Sequence, residues 1–200
     1  MMRSRKNYLT FNQKKKRITP KLIREIFSWL SITVAAIALA GALVFFFGMQ
    51  VMVIGDSMEP LLSNGQKVLV DRALSKIVSP KTGDIVVFLP NGNTNSHYYV
   101  KRIVAKAGDT VQIIEGVLYI NGEPSKEDDD YFDKMEDAGI ASNPIKLKSG
   151  EYFVLGDNRN SSEDSRSANI GIVSDSMIVG KAWFKFAYED AHLGPIFDNY

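Results

Sequence analysis

Residues 98–124 read YYVKRIVAKAGDTVQIIEGVLYINGEP, three apolar runs separated by short polar breaks. Val, Ile and Tyr dominate the runs, and Glu115-Gly116 stands between TVQII (110–114) and VLYI (117–120) as a hairpin turn. The same pattern continues outward in KVLV (67–70), DIVVFLP (84–90), EYFVLG (151–156) and KAWFKFAY (181–188). Turn signals separate them at Asn64-Gly65, Asn91-Gly92, Asn121-Gly122 and Ser149-Gly150. The expectation is a mainly β fold. A short helix is expected only near SDSMIV (174–179), and no internal repeat is present. The segment EDDDYFDKMEDAGIASNP (127–144) carries seven acids within residues 127–137. Its spacing does not fit a calcium-binding helix-loop-helix, so it is expected to be a solvated loop.

Inside this β pattern, YYVKRIVAKA sets Lys101 and Arg102 in an apolar run. A strand's period of two puts Tyr99, Lys101 and Ile103 on one face and Arg102 on the other. A lysine pointed into apolar surroundings loses hydration, which lowers its pKa by up to several units. The neutral amine that results can take a proton from a serine hydroxyl. A strand lysine can also pack its stem and raise its ammonium to water. The strand by itself leaves both options open.

Upstream of the β region the composition changes. Residues 1–25 hold nine of the 24 Lys and Arg against one acid, Glu25, so the remainder carries 15 bases and 22 acids. A basic arm can bind nucleic acid. Here it precedes Ile26–Ile54, which has no charged residue, and Leu30–Met49 alone supplies the ~20 apolar residues of a membrane span. Trp29 stands where an interfacial aromatic belongs. The small-residue run ALAGA (38–42) falls mid-run, and LVFFFGM continues past it, so an anchor is favoured over a cleaved leader. The basic arm then sets topology, with the N-terminus cytoplasmic and residues 50–200 outside, and it faces anionic lipid rather than nucleic acid. At the 200 residues of the chain, 45% of them apolar, one or two small domains are affordable.

Chemistry is narrowed by absence. With no cysteine there is no disulfide, thiol nucleophile or thiolate metal site. The two histidines, His97 and His192, lie in loop-like or terminal stretches, unlike the carboxylate-held base of a Ser-His-Asp relay. No spacing suits three zinc ligands, and no glycine-rich nucleotide cradle occurs. What is left is a serine or aspartate hydrolase with an unusual base. Two serines sit in the tripeptide Asp-Ser-Met, Ser57 in GDSMEP (55–60) and Ser176 in SDSM (174–177). Ser57 follows Met49 by eight residues, under roughly 30 Å of extended chain, so its hydroxyl lies near the outer bilayer face. Gly55 and Pro60 bracket a tight backbone that can expose the hydroxyl and aim the Ser57 amide at a developing oxyanion. An ordinary turn after the membrane explains the same residues.

Taken in order, GDSMEP after an N-terminal span, GDIVVF (83–88), VKRIVAKAGD (100–109) and GDNRNSSEDSR (156–166) resemble the boxes of type I signal peptidases of peptidase family S26. The likeness runs from about residue 25 to 186 and is closest to the single-span Gram-positive form. It implies a membrane-anchored Ser/Lys endopeptidase that removes signal peptides from exported preproteins, with small residues, typically Ala, at the first and third positions before the cut. By position, Ser57 would be the nucleophile and Lys101 the general base. Ser162 would orient the lysine amine, Asp157 would pair with Arg102, and Asp164 with Arg166 would form a buttressing ion pair, with Arg159 in the same box. Gly55 departs from members that carry a serine donor there, which leaves the Ser57 backbone amide plus a backbone or water donor for the oxyanion. Leu61 stands in place of a family threonine, and AKAGD replaces a more usual run. The resemblance implies a transmembrane helix followed by an antiparallel β catalytic core (50–108 and 152–200), with a small inserted β subdomain at 109–151. Residues 1–25 would be the cytoplasmic segment and 26–49 the anchor. It implies no cofactor or metal. Its partners would be secretory preproteins, membrane lipid and the general secretion translocase, with no nucleic acid. Two alternatives share the fold: a non-catalytic assembly or chaperone factor, marked by loss of the Ser or Lys, and a self-cleaving repressor-type protease. Both dyad positions are filled here, and no DNA-reading helix pair follows.

Overall fold

The computed structural model describes residues 19–73, 75, 77–93, 97–125, 131–189 and 192–196; side chains 46 and 47 are excluded. The chain divides into two compact units, the first ending at Gly41 and the second starting at Ala42. One helix, α1 (Pro20–Phe47), is long and apolar enough to cross a membrane, and its described side chains are exposed. Pro20 opens it at the first helical position, where the missing N–H costs nothing. Ser31 and Thr33 donate their hydroxyls to the carbonyls of Ser28 and Trp29, so both are satisfied within the helix. The helix ends two residues before the expected boundary at 49. The chain passes at Gly48 into a strand, β1 (Met49–Met52), so the last residue of the expected anchor already belongs to the sheet.

The strand expectations are met closely. The remaining elements are β2 (Lys67–Asp71), β3 (Ile85–Phe88), β4 (Tyr99–Lys106), β5 (Thr110–Ile114), β6 (Val117–Ile120), β7 (Glu123–Pro124), β8 (Ile145–Lys146), β9 (Glu151–Leu155), β10 (Val173–Ser174), β11 (Ile178–Lys185) and β12 (Gly194–Pro195). Among the described residues, one antiparallel sheet runs β1-β2-β11-β3-β4-β9-β10, with β12 on β11. A second runs β7-β6-β5-β8 and uses residues from 110 to 146. The helix expected near 174–179 is a single 3₁₀ turn, Asp175–Met177, because Ile178 already pairs with Phe88 in the sheet.

Three apolar clusters fill the second unit. One gathers Met58, Leu62, Val68, Ile85, Val87 and Val100 beneath the 53–66 loop. A second joins the two sheets through Val104, Val111, Leu118, Phe153 and Leu155. The third packs Val86, Phe88, Ile103, Val154 and Val173. Met135 belongs to the second cluster and anchors the acid-rich segment, while its described acids, Asp133, Glu136 and Asp137, are exposed as a solvated loop requires. Residues 126–130 of it lie outside the described residues.

Candidate active site

The loop carrying Ser57 is closed at its base by Val53 N–H donating to the Gln66 carbonyl and Gly65 N–H to the Val53 carbonyl, each at 2.8 Å. Met58, next to the serine, is fully buried, as is Leu62 one turn on. Burying these two while leaving Ser57 at the surface of the core fixes which way the hydroxyl points. Gly55 adopts φ +82°, the left-handed region, with open space where a Cβ would be. Glycine is needed there for backbone conformation, not for room. Its N–H donates to Asn64 Oδ1 at 3.0 Å and so is already engaged.

Lys101 reaches this loop from the middle of β4, where every residue from Val100 to Ala105 is buried. Its Nζ donates to Ser57 Oγ at 2.5 Å; with the amine neutral, the hydroxyl donates across the same contact. Lys101 is only 3% exposed. Loss of hydration on burial pushes its pKa from the ordinary 10.5 down to about 8, against the opposing fields of Asp164, Glu163 and Asp157. Tyr99, on the same strand face, lies with its ring 5.8 Å from the amine. Arg102 points the opposite way and donates Nε and Nη2 to the two oxygens of Asp157 at 2.8 and 2.7 Å, a buried two-pronged pair. The alternation inferred for β4 is therefore what the structure has: amine to one side, guanidinium to the other.

The 156–166 turn docks against both. Asn158 N–H donates to the Ser57 carbonyl at 3.1 Å. A Cβ on Gly156 would fall 2.4 Å from that carbonyl and 2.2 Å from Ser162 Oγ, so only glycine permits the approach. Arg166 grips Asp164 with Nε and Nη2, both at 2.8 Å, while Asp164 also accepts the Gly156 N–H at 3.1 Å. Ser162 departs from expectation. Its hydroxyl is buried against Gly156 and makes no hydrogen bond among the described residues, because the Lys101 amine is turned to Ser57 instead. Ser57 N–H likewise donates to no group among the described residues, as an oxyanion donor must.

A cleft of about 190 Å³ opens over the pair, lined by Gly55, Ser57, His97, Tyr99, Lys101 and Glu163. His97 is exposed and stacks on Tyr99 at 4.8 Å, far from any carboxylate-held base geometry. Tyr99 donates its hydroxyl to Glu163 at 3.2 Å. The sequence placed Tyr99 on the Lys101 face, but no sequence signal had singled out Glu163 or Phe132. Phe132 lies with its ring centroid 4.0 Å from the Arg159 guanidinium. Among the described residues, no group of three His, Cys, Asp or Glu is placed to hold a metal.

Comparison with known proteins gives the family. A sequence model of the family described as "Signal peptidase, peptidase S26" matches residues 26–187. Signal peptidase I T of Bacillus subtilis is 36% identical, over 88% of this chain and 92% of its own. Signal peptidase IB of Staphylococcus aureus is 32% identical, over 82% and 90%. A crystal structure of a signal peptidase I from Enterococcus faecalis superposes with a TM-score of 0.39 at 30% identity, covering 52% of this chain and 97% of that one. With the family model spanning most of the chain and such relatives matching it nearly end to end, the protein belongs to peptidase family S26, the serine endopeptidases that cleave signal peptides from secretory preproteins.

Proposed function

We propose that Ser57 and Lys101 carry the cleavage as a nucleophile and a general base. The carrying observation is the 2.5 Å contact between Ser57 Oγ and an amine that burial has brought to a pKa of about 8. The neutral amine takes the hydroxyl proton as Oγ attacks the scissile carbonyl. Ser57 N–H, which donates to no group among the described residues, receives the oxyanion. Lys101, now charged, protonates the leaving amine of the mature protein. Water then enters and gives a proton to the neutral lysine as its oxygen attacks the acyl carbon; the charged lysine passes that proton to Ser57 Oγ as the acyl–serine bond breaks and the signal peptide leaves. Asp157 holds Arg102, and through β4 the register of Lys101, while the Asp164–Arg166 pair stiffens the turn that docks on Ser57. Ser162 serves by filling the space beside Gly156.

The placing of substrate extends this reading. The apolar α1 supports membrane anchoring, with the basic segment cytoplasmic and the catalytic unit outside. The short connection from α1 to Ser57 keeps the nucleophile near the bilayer, where preproteins emerge from the secretion translocase. A cleft this small suits Ala-type side chains before the cut, and the sheet at 110–146 would act as an insertion in the core. A non-catalytic assembly factor would have no use for a buried lysine against a serine, and burying that amine costs stability.

The test is cleavage of an Ala-x-Ala preprotein by wild-type chain, Ser57→Ala and Lys101→Met in detergent micelles across pH 6–10. Wild-type kcat/KM is expected to rise through about pH 8, with both variants reduced by at least ~10³-fold. Undiminished turnover by Lys101→Met refutes the base assignment. An inert wild type supports the assembly-factor reading.

A further inference from the structure

The acid-rich segment has more to do than cross the surface. Phe132 sits with its ring centroid 4.0 Å from the guanidinium of Arg159 and 5.8 Å from that of Arg102. Arg159 is 1% exposed and Arg102 5%. Both distances are within the ~6 Å at which a ring face attracts a cation, and the attraction strengthens when water is excluded. The two guanidiniums support the site from behind. Arg102 is the neighbour of Lys101 and holds Asp157, and Arg159 leads from the Gly156 turn toward Ser162.

The rest of the segment is tied to the same turn. Asn160 donates Nδ2 to the Lys134 carbonyl at 3.0 Å and accepts the Glu136 N–H on Oδ1 at 3.0 Å. Arg166 donates to the Asp137 carbonyl at 3.3 Å, and Met135 is sunk in the second core cluster. The stretch 132–137 is thus a strap, held at Met135 and stitched to 159–166. Phe132 brings its ring to the arginine pair.

We propose that Phe132 is a positioning residue for the reaction, an aromatic clamp across Arg102 and Arg159 that holds β4 and the 156–166 turn in the register joining Lys101 to Ser57. This rests on the Ser57/Lys101 reading. A ring face on a guanidinium restrains orientation where a second carboxylate would add charge near the amine. An aliphatic side chain of similar volume fills the space but offers no face, so the aromatic character itself is what can be tested.

The experiment measures kcat, KM and the pH midpoint of kcat/KM for full-length Phe132→Leu, Phe132→Ala and Phe132→Tyr in micelles, with an Ala-x-Ala peptide and thermal unfolding alongside. Phe132→Leu is expected to lower kcat about tenfold with KM within about twofold, and to move the midpoint upward as water gains access to β4. Phe132→Tyr restores wild-type values because it keeps the ring. In an Arg159→Gln background, Phe132→Leu is expected to lose most of its effect, as coupled partners do. Phe132→Leu matching wild type in kcat and pH midpoint overturns the clamp. So does a fall in activity that follows the unfolding temperature alone, equally for Leu and Tyr. Lys101→Met, assayed in parallel, separates this failure from failure of the dyad: activity retained there refutes the dyad, whatever Phe132 does.

Discussion

Asp-Ser-Met occurs twice, at 56–58 and 175–177, and the two copies are used in opposite ways. In the first, Met58 is fully buried in the core, Asp56 is exposed, and the serine between them meets a buried lysine. In the second, the aspartate is structural: Asp175 accepts from the Tyr152 hydroxyl at 2.8 Å, and its N–H donates to the Gly150 carbonyl. Ser176 is exposed, and its hydroxyl pairs with that of Ser174 at 2.8 Å. Met177 packs at the edge of the third cluster. A serine's own neighbours in sequence do not make it reactive. In the proposed dyad a strand 44 positions away does, because burial holds the amine close and lowers its pKa.

The contrast can be broken most decisively at the hydroxyls. Removing Ser57 as Ser57→Ala is expected to cut preprotein cleavage at least ~10³-fold, whereas Ser176→Ala leaves kcat/KM within about twofold. Comparable losses in both would end the distinction. The methionines give a smaller effect, read in stability. Met58→Ala should cost ~2–5 kcal/mol in chemical unfolding of the micellar protein, since it empties a fully buried site. Met177→Ala, at a half-buried position, should cost ~1 kcal/mol or less. Equal costs would mean that the first copy is not anchored by its methionine.

A third effect sharpens the lysine side of the comparison. The folded pKa of about 8 lies below the unfolded 10.5, so between these values the unfolded chain holds a proton that the folded chain has released. Stability therefore rises with pH across that window, and below pH 8 the full penalty of the buried ammonium is present. The gain is bounded at about 3 kcal/mol. Unfolding free energies at pH 7.5 and 10 should differ more for wild type than for Lys101→Met, and identical slopes would show that Lys101 titrates normally.

The legible parts of the molecule were those with a short period. Strands β2, β5, β6 and β9 follow their apolar runs to within a residue, because alternation and β-branching are local properties of the chain. The two-residue strands β7, β8, β10 and β12 were not legible: two residues have no period, and their pairing is imposed by neighbours. β1 was absorbed into the apolar run of the anchor, since hydropathy cannot separate a membrane segment from an edge strand that follows it directly. The acid-rich segment was legible as exposed, since Asp133, Glu136 and Asp137 face solvent, but its anchoring was not, because Phe132 and Met135 act through contacts with Arg159 and the second core that net polarity does not encode.

What the chain determined by itself was the family, the apolar helix, the β character and the two residues of the proposed dyad, all carried by local composition and by ordered motifs. What only the tertiary structure decided was which partner each polar group takes. Ser162 lies buried beside Gly156 rather than on the lysine, Arg102 closes on Asp157, and an acidic loop becomes a strap over two arginines. Hydrogen bonds and cation–ring contacts have ranges of a few ångströms, so they are settled by packing between segments far apart in sequence and leave no periodic trace along it.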